Sequence, residues 1–268
     1  MAFDFHTHHD RCGHATGSIR DYIEQAIAKG LQYIGISDHS PYFAAKEDQA
    51  KPGIAMAKSE FPHYIAEVLQ LKKEYQSKIE VLLGVESDYF EEHEALYRDI
   101  YSQYPFDYII GSVHYANGKS IFDKQRWEGL SKADCLREKE LYYASIQRSA
   151  RSGLFDILGH IDAMKGYYPQ FSDIETEAVE QTLKIIADSD VAIEVNTSGK
   201  NKDCGGWYPS HDILERACFY NVKITFGSDA HVPNRVGDEW EQVRTELKHL
   251  GFKEWAIFKN RQRKFLPL

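Results

Sequence analysis

The sequence predicts an α/β fold of parallel strands joined by crossover helices. Short apolar or β-branched runs alternate with longer segments of helical period along nearly the whole chain. No linker, low-complexity tract or charge block interrupts this alternation, so one domain spanning 1–268 is expected. The pattern suits either a closed barrel or an open doubly wound sheet, and periodicity alone leaves both open.

Strands are predicted near Ala2–His6, Gln32–Ser37, Glu80–Val85, Phe106–Ser112, Phe155–Gly159, Val191–Asn196 and Lys223–Gly227, with an irregular one at Trp255–Phe258. Between Ser18 and Lys29, Ile19, Tyr22, Ile23, Ala26 and Ile27 recur at helical spacing, and Gly30 stops the run. Pro62–Gln76, His93–Tyr104, Lys132–Arg151, Ile174–Asp188, Asp212–Tyr220 and Trp240–Leu250 follow the same pattern, the last stopped by Gly251. Pro41–Gly53 is polar, holds two prolines and has no period, so it is expected to be a loop over the top of the structure.

A chain that is 43% hydrophobic at this length can bury a large core. Its net charge of -9 argues against a nucleic-acid or anionic-membrane partner, which would call for a basic face, but not against bound cations. No apolar run approaches a membrane span, and no basic region followed by an apolar stretch opens the chain. Cys12, Cys135, Cys204 and Cys218 are scattered without a CxxC. These features together lead to the expectation of a reduced, cytoplasmic protein.

The chemistry gathers at the predicted strand ends. The first strand delivers His6 and His8 two residues apart, on one face, and His14 follows a short loop marked by Gly13. Later strands end in Ser37-Asp38-His39, Gly84-Val85-Glu86, Gly111-Ser112-Val113-His114, Gly159-His160-Ile161-Asp162, Glu194-Val195-Asn196 and Gly227-Ser228-Asp229-Ala230-His231. In a closed α/β barrel these ends converge on the face that carries active sites. A single histidine at a strand end is more often a hydrogen-bonded structural residue than a ligand. Several gathered in one place would each cost free energy unless something satisfied them, and a metal would. Glu86 in an apolar strand would be a costly buried charge without a cation. Asp10 and Asp38 suit partners that orient imidazoles, and Cys12 suits a small packed residue. His9 should point away from His6 and His8. His63, His93, His211 and His249 fall in helical contexts and read as surface or capping residues.

In this order, the opening HxH, CGHA, SDHS, GVES, GSVH, GHID, VNTSG and GSDAH resemble the polymerase-and-histidinol-phosphatase (PHP) superfamily. The CGHA turn, PFDYIIGSVHY, SGLFDILGHID and VNTSG are more narrowly similar to its monofunctional histidinol-phosphate phosphatases. The resemblance implies a distorted seven-stranded (β/α)7 TIM-like barrel and three divalent metals, with zinc, iron and manganese all suited to the donors. It implies one metal among His6, His8, Glu86 and Asp229, and a second sharing Glu86 with His114 and His160. It implies a third held by His14, His39 and His231. Three such cations against two carboxylates leave about four positive charges to attract a phosphate monoester and acidify a water.

The expected reaction is hydrolysis of L-histidinol phosphate to L-histidinol and phosphate, by in-line attack of a metal-bridging hydroxide. Glu86, Asp229 and His231 are the expected catalytic residues. His231, or a water on Asp229, is the expected proton donor to the leaving alkoxide. Lys165, Lys200 and Arg235 follow strand ends and are expected to seat the phosphate, with Asn196 donating either to the phosphate or to a ligand carboxylate. Tyr115, Tyr42 and Asp162 are candidates for the amino-alcohol end. The expected partner is thus a small phosphate monoester, with no nucleic acid and no membrane, and a homo-oligomer is compatible. The alternative is a phosphoesterase or nuclease of the same superfamily acting on another ester. A barrel amidohydrolase resembles the chain less, since that class typically bridges with a lysine on strand four, whereas here strand three supplies Glu86 and strand four ends in His114. A non-catalytic metal sensor leaves the complete ligand set unexplained.

Overall fold

The computed structural model describes all 268 residues. The chain begins with β1 (Phe3–Asp4), α1 (Ile19–Ala28), β2 (Tyr33–Ile36) and α2 (Phe61–Tyr75). It continues through β3 (Glu80–Leu83), β4 (Glu86–Asp88), α3 (Glu94–Tyr101) and β5 (Ile110–Ser112). A small hairpin, β6 (Tyr115–Ala116) and β7 (Lys119–Ser120), precedes α4 (Lys132–Arg151) and β8 (Ile157–Leu158). Next come α5 (Ala178–Asp188), β9 (Ala192–Asn196), α6 (His211–Phe219), β10 (Lys223–Gly227) and α7 (Trp240–Leu250). A closing hairpin pairs β11 (Glu254–Lys259) with β12 (Gln262–Pro267).

The strands that precede helices are parallel, in the orders β1-β2-β3 and β10-β9-β8-β5-β4. Further backbone bonds run between the two sets. Glu86 N donates to Ser37 O (2.9 Å), Phe5 N to Phe226 O (3.1 Å) and His8 N to Ala230 O (2.9 Å). Parallel pairing places every strand's C-terminal end on the same side, which is why distant histidines meet.

Helices form where local signals and apolar faces agree. Ser18 and Asp21 make a reciprocal capping box at the start of α1, which buries Ile19, Tyr22, Ile23 and Ala26. Ser131 and Asp134 do the same for α4. The interior is filled by large rings opposite glycines. Tyr108 packs where β2 carries Gly35 and β3 leads into Gly84, and its hydroxyl donates to Phe5 O (2.6 Å). A Cβ on Gly35 would stand 2.0 Å from that hydroxyl oxygen.

Several expected boundaries move. The first strand ends at Asp4 rather than His6, because the buried Asp4 carboxylate accepts from Ser228 N (2.9 Å), Gly237 N (2.7 Å) and His6 N (3.1 Å) and turns the chain. The predicted Glu80–Val85 strand stops at Leu83, and the separate β4 then pairs with β5 rather than β2. Two hairpins were not expected. Asn117 and Gly118, both at positive φ, form the two-residue turn of β6–β7, and Asn260 and Arg261 form that of β11–β12. The Asn-Gly pair was the legible signal for the first. Pro41–Gly53 carries no helix or strand, as expected.

Candidate active site

Glu86 is the hub of the site. It begins β4, is 1% exposed, and points into a ring of imidazoles. Its Oε2 lies 2.9 Å from His39 Nδ1, 3.3 Å from His6 Nε2 and 3.5 Å from His8 Nε2. Its Oε1 faces His160 Nε2 at 3.1 Å and His114 Nε2 at 3.4 Å. Asp229 approaches from the end of β10, with Oδ1 3.0 Å from His8 Nε2 and 3.7 Å from His6 Nε2. His14 and His231 complete the group, their Nε2 atoms 2.8 Å apart. The structure therefore brings together His6, His8, His14, His39, Glu86, His114, His160, Asp229 and His231. Asp229 (φ 53°) and His160 (φ 25°) reach it from backbone conformations that non-glycine residues rarely adopt. Such strain costs of order 1–3 kcal/mol and gathers at functional sites.

A second ring of acceptors orients the imidazoles. Asp38 Oδ1 accepts from His8 Nδ1 (3.2 Å), and Asp88 Oδ1 from His114 Nδ1 (2.9 Å). His231 Nδ1 donates to the Asp229 carbonyl (3.0 Å). In each case Nε2 is left facing the cluster. His9 turns away, as expected, to stack on Tyr64 near Asp38. Cys12 is buried with its thiol near His9 O, although it also comes close to His8 and Asp38.

The charges are strongly coupled. Burial alone would favour neutral Glu86, but His39, His6 and His114 outweigh it and hold the carboxyl well below its ordinary range. Asp229 is likewise held far down, chiefly by His6 and His8, against burial. Burial opposes protonation of His8 and His114, yet Asp229 and Asp38 for the one, and Asp88 and Glu86 for the other, raise them to about 9. His14 has few acidic neighbours, and burial with His39 and His8 pushes it down to about 4.

The donor set fits divalent cations. His6 Nε2, His8 Nε2 and Glu86 Oε2 are buried and face one another without a well-aligned hydrogen bond, although Asp229 Oδ1 stands 3.0 Å from His8 Nε2 and His39 Nδ1 stands 2.9 Å from Glu86 Oε2. Each such orphan costs about 1–3 kcal/mol in an interior. Imidazole nitrogens with a shared carboxylate are the donors that zinc, iron and manganese accept. Four overlapping groups lie close enough to share an ion: His6, His8 and Glu86; His39, Glu86 and His114; His8, His39 and His231; and His8, Cys12 and Asp38.

The cluster floors a cleft of about 690 Å³. Tyr115 and Arg235 line it, as expected. Lys165 and Lys200 do not; both line a neighbouring cavity. Lys165 Nζ is held by Asp162 Oδ2 (2.7 Å) and Trp207 O (2.7 Å), and Lys200 pairs with Glu239. Asn196 points its amide at Glu194 Oε1 (2.8 Å) and Asp229 Oδ2 (3.2 Å), so it braces Asp229 from behind. Of the other candidates, Tyr42 donates to Asp88 Oδ2 (2.7 Å), and Asp162 is buried against Lys165. The cleft also contains Lys202, Tyr167, Phe122, Ser198, Asn201 and Ile54, which the sequence reading did not single out. Ser198 falls within the VNTSG stretch, but the loops of the others carry no spacing that marks them. Only the basic residue two places beyond Lys200 could have suggested Lys202.

Imidazoles and carboxylates converging at the C-terminal mouth of parallel strands define a class of α/β proteins. The chain belongs to the PHP domain family, whose model matches residues 4–198. It is 30% identical to a probable histidinol-phosphatase of Deinococcus radiodurans, covering 98% of each chain. It is 31% identical to the histidinol-phosphatase of Bacillus subtilis, covering 89% of this chain and 96% of that one. Its fold is similar to the crystal structure of histidinol phosphate phosphatase from Lactococcus lactis, solved with zinc, L-histidinol and phosphate. There the TM-score is 0.82 at 22% identity, with 98% of each chain covered.

Proposed function

We propose that the protein hydrolyses L-histidinol phosphate to L-histidinol and phosphate. The observation that carries this reading is the set of buried donors on His6, His8 and Glu86, without well-aligned hydrogen bonds, at the floor of a cleft with a basic rim. The relatives named histidinol-phosphatase along their whole length give it the substrate.

His6, His8, His14, His39, Glu86, His114, His160, Asp229 and His231 would hold three divalent ions, zinc, iron or manganese. Bound there, such ions supply positive charge to a phosphate dianion and acidify a water. The chain's own residues do the rest. Glu86 and Asp229 keep the imidazoles aimed inward. Arg235 and Lys202 draw the phosphate from the rim, Lys202 standing beside Tyr167 Oη at 3.3 Å. Ser198 Oγ (3.0 Å) and Asn196 Nδ2 fix Asp229 Oδ2 where it can hold a water for the departing alcohol. His231 has committed its Nδ1 proton to a carbonyl, which favours a water held by the ionised Asp229 over His231 as the proton source for the leaving alkoxide. Tyr115, Phe122 and Tyr167 form an aromatic wall suited to an imidazole-bearing alcohol.

The same reading takes the chain as one domain with a closed barrel, seven-stranded when β3 and β4 are counted as one interrupted strand. A hydrophobic cluster running from Phe3 to Phe258 and the backbone bonds from β1 to β10 support it. No helix is long and apolar enough to cross a membrane. Four free thiols suit a reducing cytoplasm.

Phosphate release from a panel of small monoesters, with and without chelator, tests the function. Turnover of histidinol phosphate that chelation abolishes and manganese or zinc restores is the expected result. Activity indifferent to chelator, or absent on every monoester, would overturn it.

A further inference from the structure

Glu194 lies in the middle of β9, 1% exposed, and is not among the residues lining the cleft. Its polar neighbours either belong to the cluster, as His6 and His160 do, or brace it, as Asn196 does. Both oxygens accept from His6 Nδ1, at 3.0 and 2.8 Å. Oε1 also accepts from His160 N (2.9 Å) and Asn196 Nδ2 (2.8 Å). Asn196 in turn donates to Asp229 Oδ2 (3.2 Å). One carboxylate therefore touches the residues beyond β1 and β8 and, through Asn196, those beyond β10. Adjacent strands leave room for it. A Cβ on Gly227 would stand 2.5 Å from Glu194 Oε2, and one on Gly159 would stand 3.5 Å from Oε1. Asp38 and Asp88, by contrast, each orient one ring of the cluster.

We propose that Glu194 is a positioning residue that holds His6 as the Nδ1–H tautomer and sets His160 and Asp229 relative to it, so that ligands from three strands arrive as one unit. A ligating imidazole that donates its other N–H to a carboxylate is more basic and has a fixed ring plane, and loss of that partner commonly weakens metal binding roughly 10–100-fold. Neither Asp38 nor Asp88 can replace Glu194, because neither reaches His6 in the structure. The inference rests on the divalent-cation reading above, and zinc binding by the unmodified protein tests that reading separately.

The experiment compares wild type with Glu194→Gln, using zinc alone as the probe in competition with a chelator of known affinity. Nitrogen NMR of the His6 ring in the zinc-loaded wild type is the second measurement. Zinc held roughly 10–100-fold more weakly at one or more positions, with the ion-free variant still folded, is the expected result. Zinc affinity within about twofold of wild type would overturn the proposal. So would a lower melting temperature of the ion-free variant with unchanged zinc affinity, since that is packing alone. If the variant does not fold, the wild-type NMR decides: a proton on Nδ1 supports the proposal, and a proton on Nε2 overturns it. A wild type that binds no zinc would instead overturn the cation reading.

Discussion

Glu86→Gln keeps the shape of the hub while removing the charge that five imidazoles face at 2.9 to 3.5 Å. A unit charge 4 Å from another is worth about 4 kcal/mol at an effective dielectric near 20, and a divalent ion feels roughly twice that. The amide oxygen still ligates, and easier desolvation of the neutral side chain offsets about half of the loss. A net penalty of about 3–4 kcal/mol remains for each ion that Glu86 contacts, or roughly 10²–10³ in affinity. The ion-free protein should suffer little, because the substitution removes a buried anion together with its need for protonated histidines. Stabilisation of the variant by added zinc should shrink accordingly. Ion content after gel filtration, calorimetric titration and phosphate release together read the effect. A variant with ion content and turnover both within about threefold of wild type would refute the hub role of Glu86.

The remaining predictions concern protons, packing and the rim. Because His8 and His114 are raised to about 9 in the ion-free protein, zinc loading near neutral pH should release protons, and its affinity should climb as pH rises toward 9. Calorimetry in buffers of different ionisation heat reads the number released, and a buffer-independent enthalpy would contradict it. Gly35→Ala forces a methyl into the Tyr108 hydroxyl and should destabilise by roughly 3 kcal/mol through overpacking and an orphaned Phe5 carbonyl. A shift below about 0.5 kcal/mol in denaturant unfolding would show that the ring is free to move. Lys139 Nζ is buried between Phe171 O and Ile174 O (both 2.8 Å), and burial pushes it down to about 8 against the pull of Asp162 and Asp173. The folded state then binds fewer protons than the unfolded chain between pH 8 and 10.5, so Lys139 adds stability as pH rises through that window and loses it as pH falls. Wild type should gain about 3 kcal/mol on Lys139→Met across it, measured by urea unfolding, whereas a constant difference would be contrary evidence. Finally, Lys202→Ala should raise KM for the monoester several-fold while Lys200→Ala leaves it unchanged, as their places inside and outside the cleft require. Equal effects of the two would mean that the rim is wrongly drawn.

Much of this architecture was legible beforehand. Strand and helix alternation depends on local periodicity, and the runs at Gln32–Ser37, Val191–Asn196 and Lys223–Gly227 reappear as strands within a residue or two. Parallel pairing then sends all the strand ends one way, so His6, Glu86, His114, His160 and Asp229 could be grouped without knowing a single distance. The rim was not legible in the same way. Lys165 and Lys200 follow strand ends as well as Arg235 does, but Asp162 and Glu239 draw their ammonium groups into a different cavity.

Residue order was therefore enough for the α/β alternation and for the identity of the clustered donors, since both follow from local period and the direction of parallel strands. Only the folded chain shows which carboxylate faces which ring, which basic groups enter the cleft, and that Glu194 stands behind His6. Those are choices among rotamers and partners far apart in the chain, made by packing and charge once the strands are side by side, and no local pattern encodes them.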